Sequence, residues 1–527
     1  MKKLSIYTIT LAMLTLGSCT KDYLDTEPLT ELTGQNFYKT TDDAYDALVG
    51  CYDGMQIAEG AAGLAFPLAS EVLSDDCFGG TGNSDSYTYQ ALDEFDPARS
   101  PSDVDFYNDT WKKYYSAIFR CNSLLEKMDQ IDWEGDNQLK AQYESEARFI
   151  RAYMYFDLMR LFGHVPLLTE PSTENIPQAA PEEVYKVIAE DLSFASENLE
   201  AAPYTSVESG RVTKWAAKSM LARVYLYYTG YYGASDLAGV VSQAQALAGL
   251  EDVISMSGHG LVEDFNNLWP AASLENYAGE DNEEIVFSVK FTYTSDYDGN
   301  TDGNHWMVMF GMREFDYYPF GRGWGITVTP ELYNSYSDGD ARREATIIAI
   351  SEEDIPFENQ DKQREYTGYY NKKYTPMIDE DGNSTAEQNG AVNFQIGQFQ
   401  DYFVIRYSDV LLMAAELGSA NAQQYFNEVR QRSLGDAFTP LTANQTNILK
   451  ERRLEFAMEG VRYWDLLRQG VGTAAAELAV NTTVLNGGVE TTKVISAGNV
   501  QASQGLQQIP NTQITLSNGV LEQNEGW

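Results

Sequence analysis

Three observations predict a mainly α-helical chain, built as a helix-pair solenoid scaffold around an irregular, loop-rich insertion containing short strands. First, apolar residues recur at steps of three or four, as in the stripe Ala147, Ile150, Met154, Leu158 and Leu161. Second, the stripe repeats in later segments, as Val184, Ile188, Leu192, Ala195 and Leu199, and then as Ala217, Leu221, Val224 and Tyr228. Third, between 258 and 400 the periodicity gives way to Gly- and Asp-rich turns. Antiparallel helices with short connections stack into a curved solenoid. No strict repeat period is present, so any repeats are degenerate.

In chain order, Lys2 and Lys3 precede an uncharged, largely apolar run from Leu4 to Leu16. That run is too short to span a bilayer and reads as the core of a secretory signal over 1–18. Leu16-Gly17-Ser18-Cys19 is similar to a bacterial lipoprotein box, in which the cysteine is acylated and becomes the new N-terminus. An ordinary signal peptide followed by a chance cysteine is the alternative. Residues 19–39 then form a lipid anchor and extended tether, and 40–257 the first part of the scaffold. A helix is predicted over 41–56, with Asp42 and Asp43 at the favourable end of its dipole. An irregular stretch follows over 57–102, holding Gly79, Gly80 and Gly82 near Tyr87 and Tyr89, with Pro97 and Pro101 at its close. Helices follow over 104–128 and 139–162, the latter stopped by Gly163 and Pro166. Pro181 opens the next, Thr213 caps another, and 236–257 completes this part. In the insertion, 258–400, Ile285 to Tyr293 reads as a strand. The second scaffold part and tail, 401–527, carries helical patterns at 409–418, 421–434 and 446–469.

The chain has 36 Lys and Arg against 78 Asp and Glu, a formal charge of −42 that becomes −44 once Lys2 and Lys3 leave with the leader. Such a charge repels nucleic acid and other polyanions, and favours uncharged or basic ligands. With 43% hydrophobic residues the composition is that of a folded chain. Cys51, Cys77 and Cys121 remain beside Cys19, too few for a disulfide framework, and Cys51 and Cys121 are expected as buried thiols. Enzyme signatures are absent: His164, His259 and His305 show no metal-ligand spacing, and there is no Gly-x-Ser-x-Gly elbow or phosphate loop. Glu451, Glu455 and Glu459 share a helical face, and Glu459 with Arg462, and Asp465 with Arg468, stand at pairing distance. A salt-bridged helix that locks its neighbours is favoured over an acid–base pair. Asp298, Asn300 and Asp302 fit the first half of a calcium loop, but Met309 stands where the bidentate Glu belongs. The choice there is a weak structural calcium site or a plain Asx/Gly turn; no other cofactor is expected.

Several blocks resemble the SusD/RagB family of surface nutrient-binding lipoproteins. They are Asp22-Tyr23-Leu24-Asp25 with Pro28; Glu146-Ala147-Arg148-Phe149-Ile150-Arg151-Ala152-Tyr153 with Phe162-Gly163-His164-Val165-Pro166-Leu167; and Arg211-Val212-Thr213 with Ala216-Ala217. Further on come Arg406-Tyr407-Ser408-Asp409-Val410-Leu411-Leu412, Glu451-Arg452-Arg453-Leu454-Glu455 with Glu459-Gly460-Val461-Arg462, and the close at Gln523-Asn524-Glu525-Gly526-Trp527. The resemblance implies a tetratricopeptide-like helical fold and a lipid-anchored place on the outer face of the outer membrane. Lys21-Asp22, just after Cys19, looks like the short charged signal for surface export. It also implies a partner, a SusC-like TonB-dependent transporter barrel that receives oligomeric nutrient, usually glycan. Some relatives carry peptides instead, which makes oligopeptide capture the alternative. Ligand contacts in the family come from loops that map to about 75–95 and 270–325 here.

Within 291–325 stand ten aromatics, more than twice the chain's 13% average. Flat aromatic faces receive the C–H faces of sugar rings, and they lose little entropy on binding. Trp306 and Trp324 are therefore the predicted stacking platforms, with Tyr87, Tyr89 and Tyr277 as further candidates and Asn83, Asp85 and Arg322 as hydrogen-bonding partners. The competing reading packs Trp306 or Trp324 into the insertion's own core. Trp111, Trp215 and Trp464, on helices, are expected in the scaffold core.

Overall fold

The computed structural model describes residues 37–60, 64–96 and 105–527. The leader, Cys19, Lys21-Asp22, the tether as far as 36, and Pro97 and Pro101 lie outside the described residues.

The first part is helical: α1 (Thr41–Gly60), the short α2 (Phe66–Val72) and α3 (Thr88–Asp93), then α4 (Asn108–Lys127), α5 (Asn137–Phe162), α6 (Pro181–Asn198), α7 (Lys214–Tyr232) and α8 (Gln243–Met256). The long helices pack in sequence, α1 on α4, α4 on α5, and onward to α7 on α8. Local chemistry sets their ends. Thr213 caps α7 by accepting from the Ala216 N–H at 3.0 Å, Pro181 opens α6, and Gly163 closes α5 at a φ of 68° that favours glycine. The stretch predicted as wholly irregular, 57–102, contains α2, α3 and a two-residue strand, β1 (Cys77–Phe78). These elements are too short for periodicity to reveal. Trp111, Trp215 and Trp464 are core residues, and Cys51, Cys77 and Cys121 are buried free thiols.

The insertion is a chain of short pieces. Its strands are β2 (Ile285–Val289), β3 (Met312–Arg313), β4 (Arg322–Gly323), β5 (Thr327–Val328), β6 (Ile347–Ala349) and β7 (Tyr369–Asn371), and among them lie α9 (Met307–Phe310), α10 (Pro330–Ser335), α11 (Ala341–Thr346) and α12 (Thr385–Gln388). The strand predicted over Ile285–Tyr293 ends at Val289. β2 pairs antiparallel with β8 (Tyr402–Arg406), so the beginning and end of the insertion are stitched together. β1 pairs with β5 through Cys77↔Val328, fastening the 77–95 loop to the insertion. The second helical part follows as α13 (Tyr407–Glu416), α14 (Ala422–Leu434), α15 (Gln445–Phe456), α16 (Arg462–Leu467) and α17 (Val471–Leu478). A hairpin of β9 (Val480–Asn486) and β10 (Val489–Ile495) then precedes α18 (Ala497–Ala502) and α19 (Asn511–Leu516). That hairpin lies inside the part predicted as helix and tail. Gly487 and Gly488 between two Thr- and Val-rich runs are the signal for it.

The single helix predicted over 446–469 is broken. Met458 and Gly460 adopt left-handed backbone, with φ of 66° and 76°. The Gly460 N–H donates to the buried Glu71 carboxyl, and a Cβ at Gly460 would meet the Tyr402 hydroxyl at 2.8 Å. The break turns Glu459 off the helical face and corrects its predicted pairing: Arg462 binds Asp75 at 2.7 Å, whereas Glu459 binds Arg406 at 2.8 Å and Lys373 at 2.6 Å. Asp465 and Arg468 do pair, at 2.8 Å.

Glu459 thereby joins a buried ion cluster of balanced charge. Arg342, Arg406, Arg430, Arg432 and Lys373 meet Asp340, Glu284, Glu451, Glu455 and Glu459. The members come from both scaffold and insertion, so the cluster fixes one to the other. Burial alone would raise the Glu455 carboxyl, but Arg432, Arg406 and Arg342 hold it far below the usual carboxylate range.

Other buried carboxyls titrate the opposite way. Burial pushes Glu71 up to about 8, against the pull of the Gly460 N–H. Burial, with Asp401 beside it, pushes Glu280 to about 8 as well. These two carboxyls therefore keep protons in the fold that the unfolded chain has lost as pH rises from about 4.5 to 8, while His259 and His305, lowered by burial to about 4, act the other way up to about 6.5, so stability falls from about 6.5 to 8. Asp409, which burial would raise but Arg452 and Arg223 pull to about 2, acts in the acid range. Its contribution is full above about 4 and is lost as pH falls towards 2. A melting temperature at pH 6.5 higher than at pH 8 by roughly 2–5 °C is the expected result of thermal scans. A higher value at pH 8 would show that Glu71 and Glu280 are ionised in the fold.

Candidate functional site

Six of the eight tryptophans are buried, Trp306 among them at 3% exposure. Its ring lies against Phe310 at 6.0 Å, Tyr374 at 4.9 Å and Tyr402 at 5.8 Å between centroids. The structure thus corrects the prediction of Trp306 as a platform. It caps the apolar turn Met307–Phe310, and that turn packs into the core and carries the ring inward.

Trp324 is half-buried and lines an open cavity of about 420 Å³ together with Asp85, Arg313, Glu314, Arg322, Gly323, Phe394 and Gln395. Three segments meet there. The parallel pair β3–β4 places Arg313, Arg322 and Trp324. It can do so because Gly323 crosses within touching distance of α9: a Cβ on Gly323 would stand 2.2 Å from the Val308 carbonyl. The 77–95 loop brings Asp85, whose carboxylate accepts from the Gly82 N–H at 2.8 Å and pairs with Arg313 at 3.0 Å. Arg313 also reaches Glu314 at 3.1 Å. The loop after α12 brings Phe394, 6.5 Å from Trp324 between ring centroids, and the Arg322 guanidinium lies 4.8 Å over the Phe394 ring. Arg322 is further held by Asp316 at 3.5 Å. At the rim, Tyr297 is 67% exposed and accepts from the Asn393 side chain at 2.7 Å.

The remaining predicted residues lie outside this lining. Tyr87 is 56% exposed on the same loop, with the Arg364 guanidinium 4.0 Å from its ring. Asn83 is exposed but turned to the Asp361 carbonyl at 2.7 Å. Tyr89 packs against the core, and its hydroxyl reaches the Met309 sulfur at 3.8 Å, so it is a support and not a platform. Tyr277 belongs to a separate patch, where burial and then Glu280 and Asp401 raise its hydroxyl. Asp298, Asn300 and Asp302 sit in an Asx turn organised by Asp296, which accepts from the Asp298 and Asn300 N–H groups at 2.8 and 3.0 Å. Asn300 accepts from the Asp302 N–H at 3.0 Å, and Asp302 from the Thr294 hydroxyl at 3.2 Å. These bonds favour the turn reading over the calcium one. Among the described residues no group of three His, Cys, Asp or Glu side chains is placed to hold a metal ion.

Arg313, Glu314, Phe394 and Gln395 were not singled out in the sequence. An aromatic at 394 inside a loop of Asn, Gln and Gly was the available signal. Other cavities carry half-buried tyrosines, Tyr204 in one of 330 Å³ and Tyr115 in one of 380 Å³, but no half-exposed tryptophan. A 660 Å³ groove beside Lys450 is lined by no aromatic, and in one of 380 Å³ the tryptophan, Trp111, is buried.

A family described as "Starch-binding associating with outer membrane" matches residues 22–226, and one described as "SusD family" matches 349–527. The chain belongs to the SusD/RagB family. Trp324 stands in the stretch between the two matches. SusD-like protein P38 of Formosa agariphila is 26% identical, over 89% of this chain and 92% of that protein. Surface glycan-binding protein A from Bacteroides fluxus shares the fold at a TM-score of 0.77 and 24% identity, covering 93% of this chain and 100% of that one. A laminarin binding SusD-like protein aligns at a TM-score of 0.71 and 28% identity, over 93% and 100% of the two chains.

Proposed function

We propose that this protein captures oligosaccharide at the cavity of Trp324 and Phe394 without cutting it. The observation that carries the proposal is the cavity itself. It holds a half-exposed tryptophan and a second ring at 6.5 Å, edged by the Asp85–Arg313–Glu314 array and Gln395. Rings receive sugar C–H faces, and the polar edge receives hydroxyls. Both carboxylates face one guanidinium, which orients acceptors for hydroxyl groups. The laminarin binding relative supports glycan as the ligand class and makes laminarin the first probe. The family's printed association with the outer membrane supports the rest of the reading. In it, acylated Cys19 holds the protein at the cell surface, and the ligand passes to a SusC-like TonB-dependent transporter barrel.

Calorimetric titration of the chain from Cys19 onward with laminarin, a starch-type glucan and a mixed peptide pool tests this. Saturable binding of a glycan, with no release of reducing ends, is the expected result. Binding confined to the peptide pool would replace glycan by oligopeptide.

A further inference from the structure

We propose that Lys493 is a positioning residue for the glycan cavity, fixing the loop that carries Asp85 into it; this rests on the function proposed above. Lys493 lies on β10, far from the cavity in sequence, and is 3% exposed. Its ammonium stands 2.7 Å from Asp93, 3.1 Å from Glu94 and 2.7 Å from Glu365. Asp93 and Glu94 end α3, in the loop that bears Asp85 and Tyr87. Glu365 belongs to the segment that backs that loop. Its neighbour Arg364 donates to the Asp85 and Ser86 carbonyls at 3.1 and 2.8 Å and lies against the Tyr87 ring. One buried cation thus clamps both segments: Arg364, next to Glu365, holds the Asp85 and Ser86 carbonyls, and Asp93 lies eight residues beyond Asp85 on the same loop.

The clamp is continued by hydrogen bonds. The second oxygen of Asp93 accepts from the Gly79 N–H at 2.8 Å, and the Gln90 side chain donates to Glu365 at 2.8 Å. The hairpin adds Asn486, which accepts from the Glu365 N–H at 2.8 Å. Three carboxylates around a single ammonium repel one another once the cation is removed, since a buried charge without its partner is strongly unfavourable. The Arg364 guanidinium reaches the Thr81 hydroxyl and the two loop carbonyls through a single nitrogen, so it bonds to the loop and not to the three carboxylates. The end of α3 and the 363–365 segment would therefore part, and Asp85 would leave its place beside Arg313.

The test uses the full chain from Cys19 with Lys493→Met, with Trp324→Ala as the site control. Oligosaccharide affinity is titrated, and amide hydrogen exchange is followed by segment. Lys493→Met is expected to weaken binding by about tenfold, because a site loosened by an ångström loses its geometry. It should also speed exchange in 79–95 and 361–366 while leaving 137–162 and 214–232 unchanged. Should the Met variant fail to fold, Lys493→Gln, which keeps a neutral donor one bond shorter, carries the test with a smaller loss in the same direction. Unchanged affinity, or exchange that rises equally across the scaffold helices, would overturn the positioning role. If Trp324→Ala also binds as well as the unaltered chain, the cavity assignment fails instead. If the unaltered chain binds no glycan, the exchange pattern alone still decides whether Lys493 holds this loop.

Discussion

Replacing Trp324 by alanine is expected to reduce oligosaccharide affinity about 30-fold or more while moving the melting temperature by no more than about 2 °C. The size follows from the contact area. One sugar face laid on an indole removes on the order of 80–100 Å² of apolar surface from water, worth about 2–2.5 kcal/mol at ~25 cal/mol per Å². Each ~1.4 kcal/mol is a factor of ten. The small effect on stability follows from position, because Trp324 is only half-buried, beside Phe394. Trp306→Ala is the informative contrast. Its ring is enclosed by Phe310, Tyr374 and Tyr402, so truncation should cost about 3–5 kcal/mol of stability. Its effect on binding by the surviving folded fraction should be small. Calorimetric titration and thermal melts on the two variants separate a platform from a core residue.

The largest stability effect is expected at Arg406. Its guanidinium is 1% exposed and meets Glu284 at 2.5 Å, Glu455 at 2.9 Å and Glu459 at 2.8 Å. Removing it leaves those carboxylates short of a cation in a cluster whose five positive and five negative groups otherwise balance. Arg406→Met should therefore cost about 3–5 kcal/mol, read as a lower denaturation midpoint in urea. Adding Glu459→Gln to the same chain removes one of the uncompensated charges and should recover part of the loss. A double variant no more stable than Arg406→Met alone would mean that lost packing, and not unpaired charge, sets the cost. Because β8 bears Arg406 and pairs with β2, the same variant should also loosen the insertion.

The helices were legible because their apolar stripes and caps are local, as at Ala147 to Leu161 and at Thr213. The core tryptophans at 111, 215 and 464 were legible for the same reason. Features that depend on distant partners were not. Glu459 continues a helical pattern in sequence, yet Arg406, Lys373 and Glu71 draw the chain out of the helix there. Trp306 and Trp324 look alike in composition, both lying in the aromatic-rich segment. Their fates differ because Trp306 precedes the apolar Met307–Phe310 turn, whereas Trp324 stands between Gly323 and Gly325, just past the short strand β4. Asp85, Arg322 and Trp324 were singled out in the sequence, and the structure brings them into one cavity. Phe394 and Arg313 complete the lining from 70 residues further on and from 11 before, a convergence that only the folded insertion reveals.

The central claim, capture of sugar on the Trp324 ring, is tested most directly by a crystal structure of the chain soaked with a laminarin oligosaccharide. The account predicts a sugar ring lying on Trp324, with hydroxyls in hydrogen-bond reach of Asp85 or Gln395. Ligand density confined to another cavity, such as the groove beside Lys450, with Trp324 bare, would contradict it.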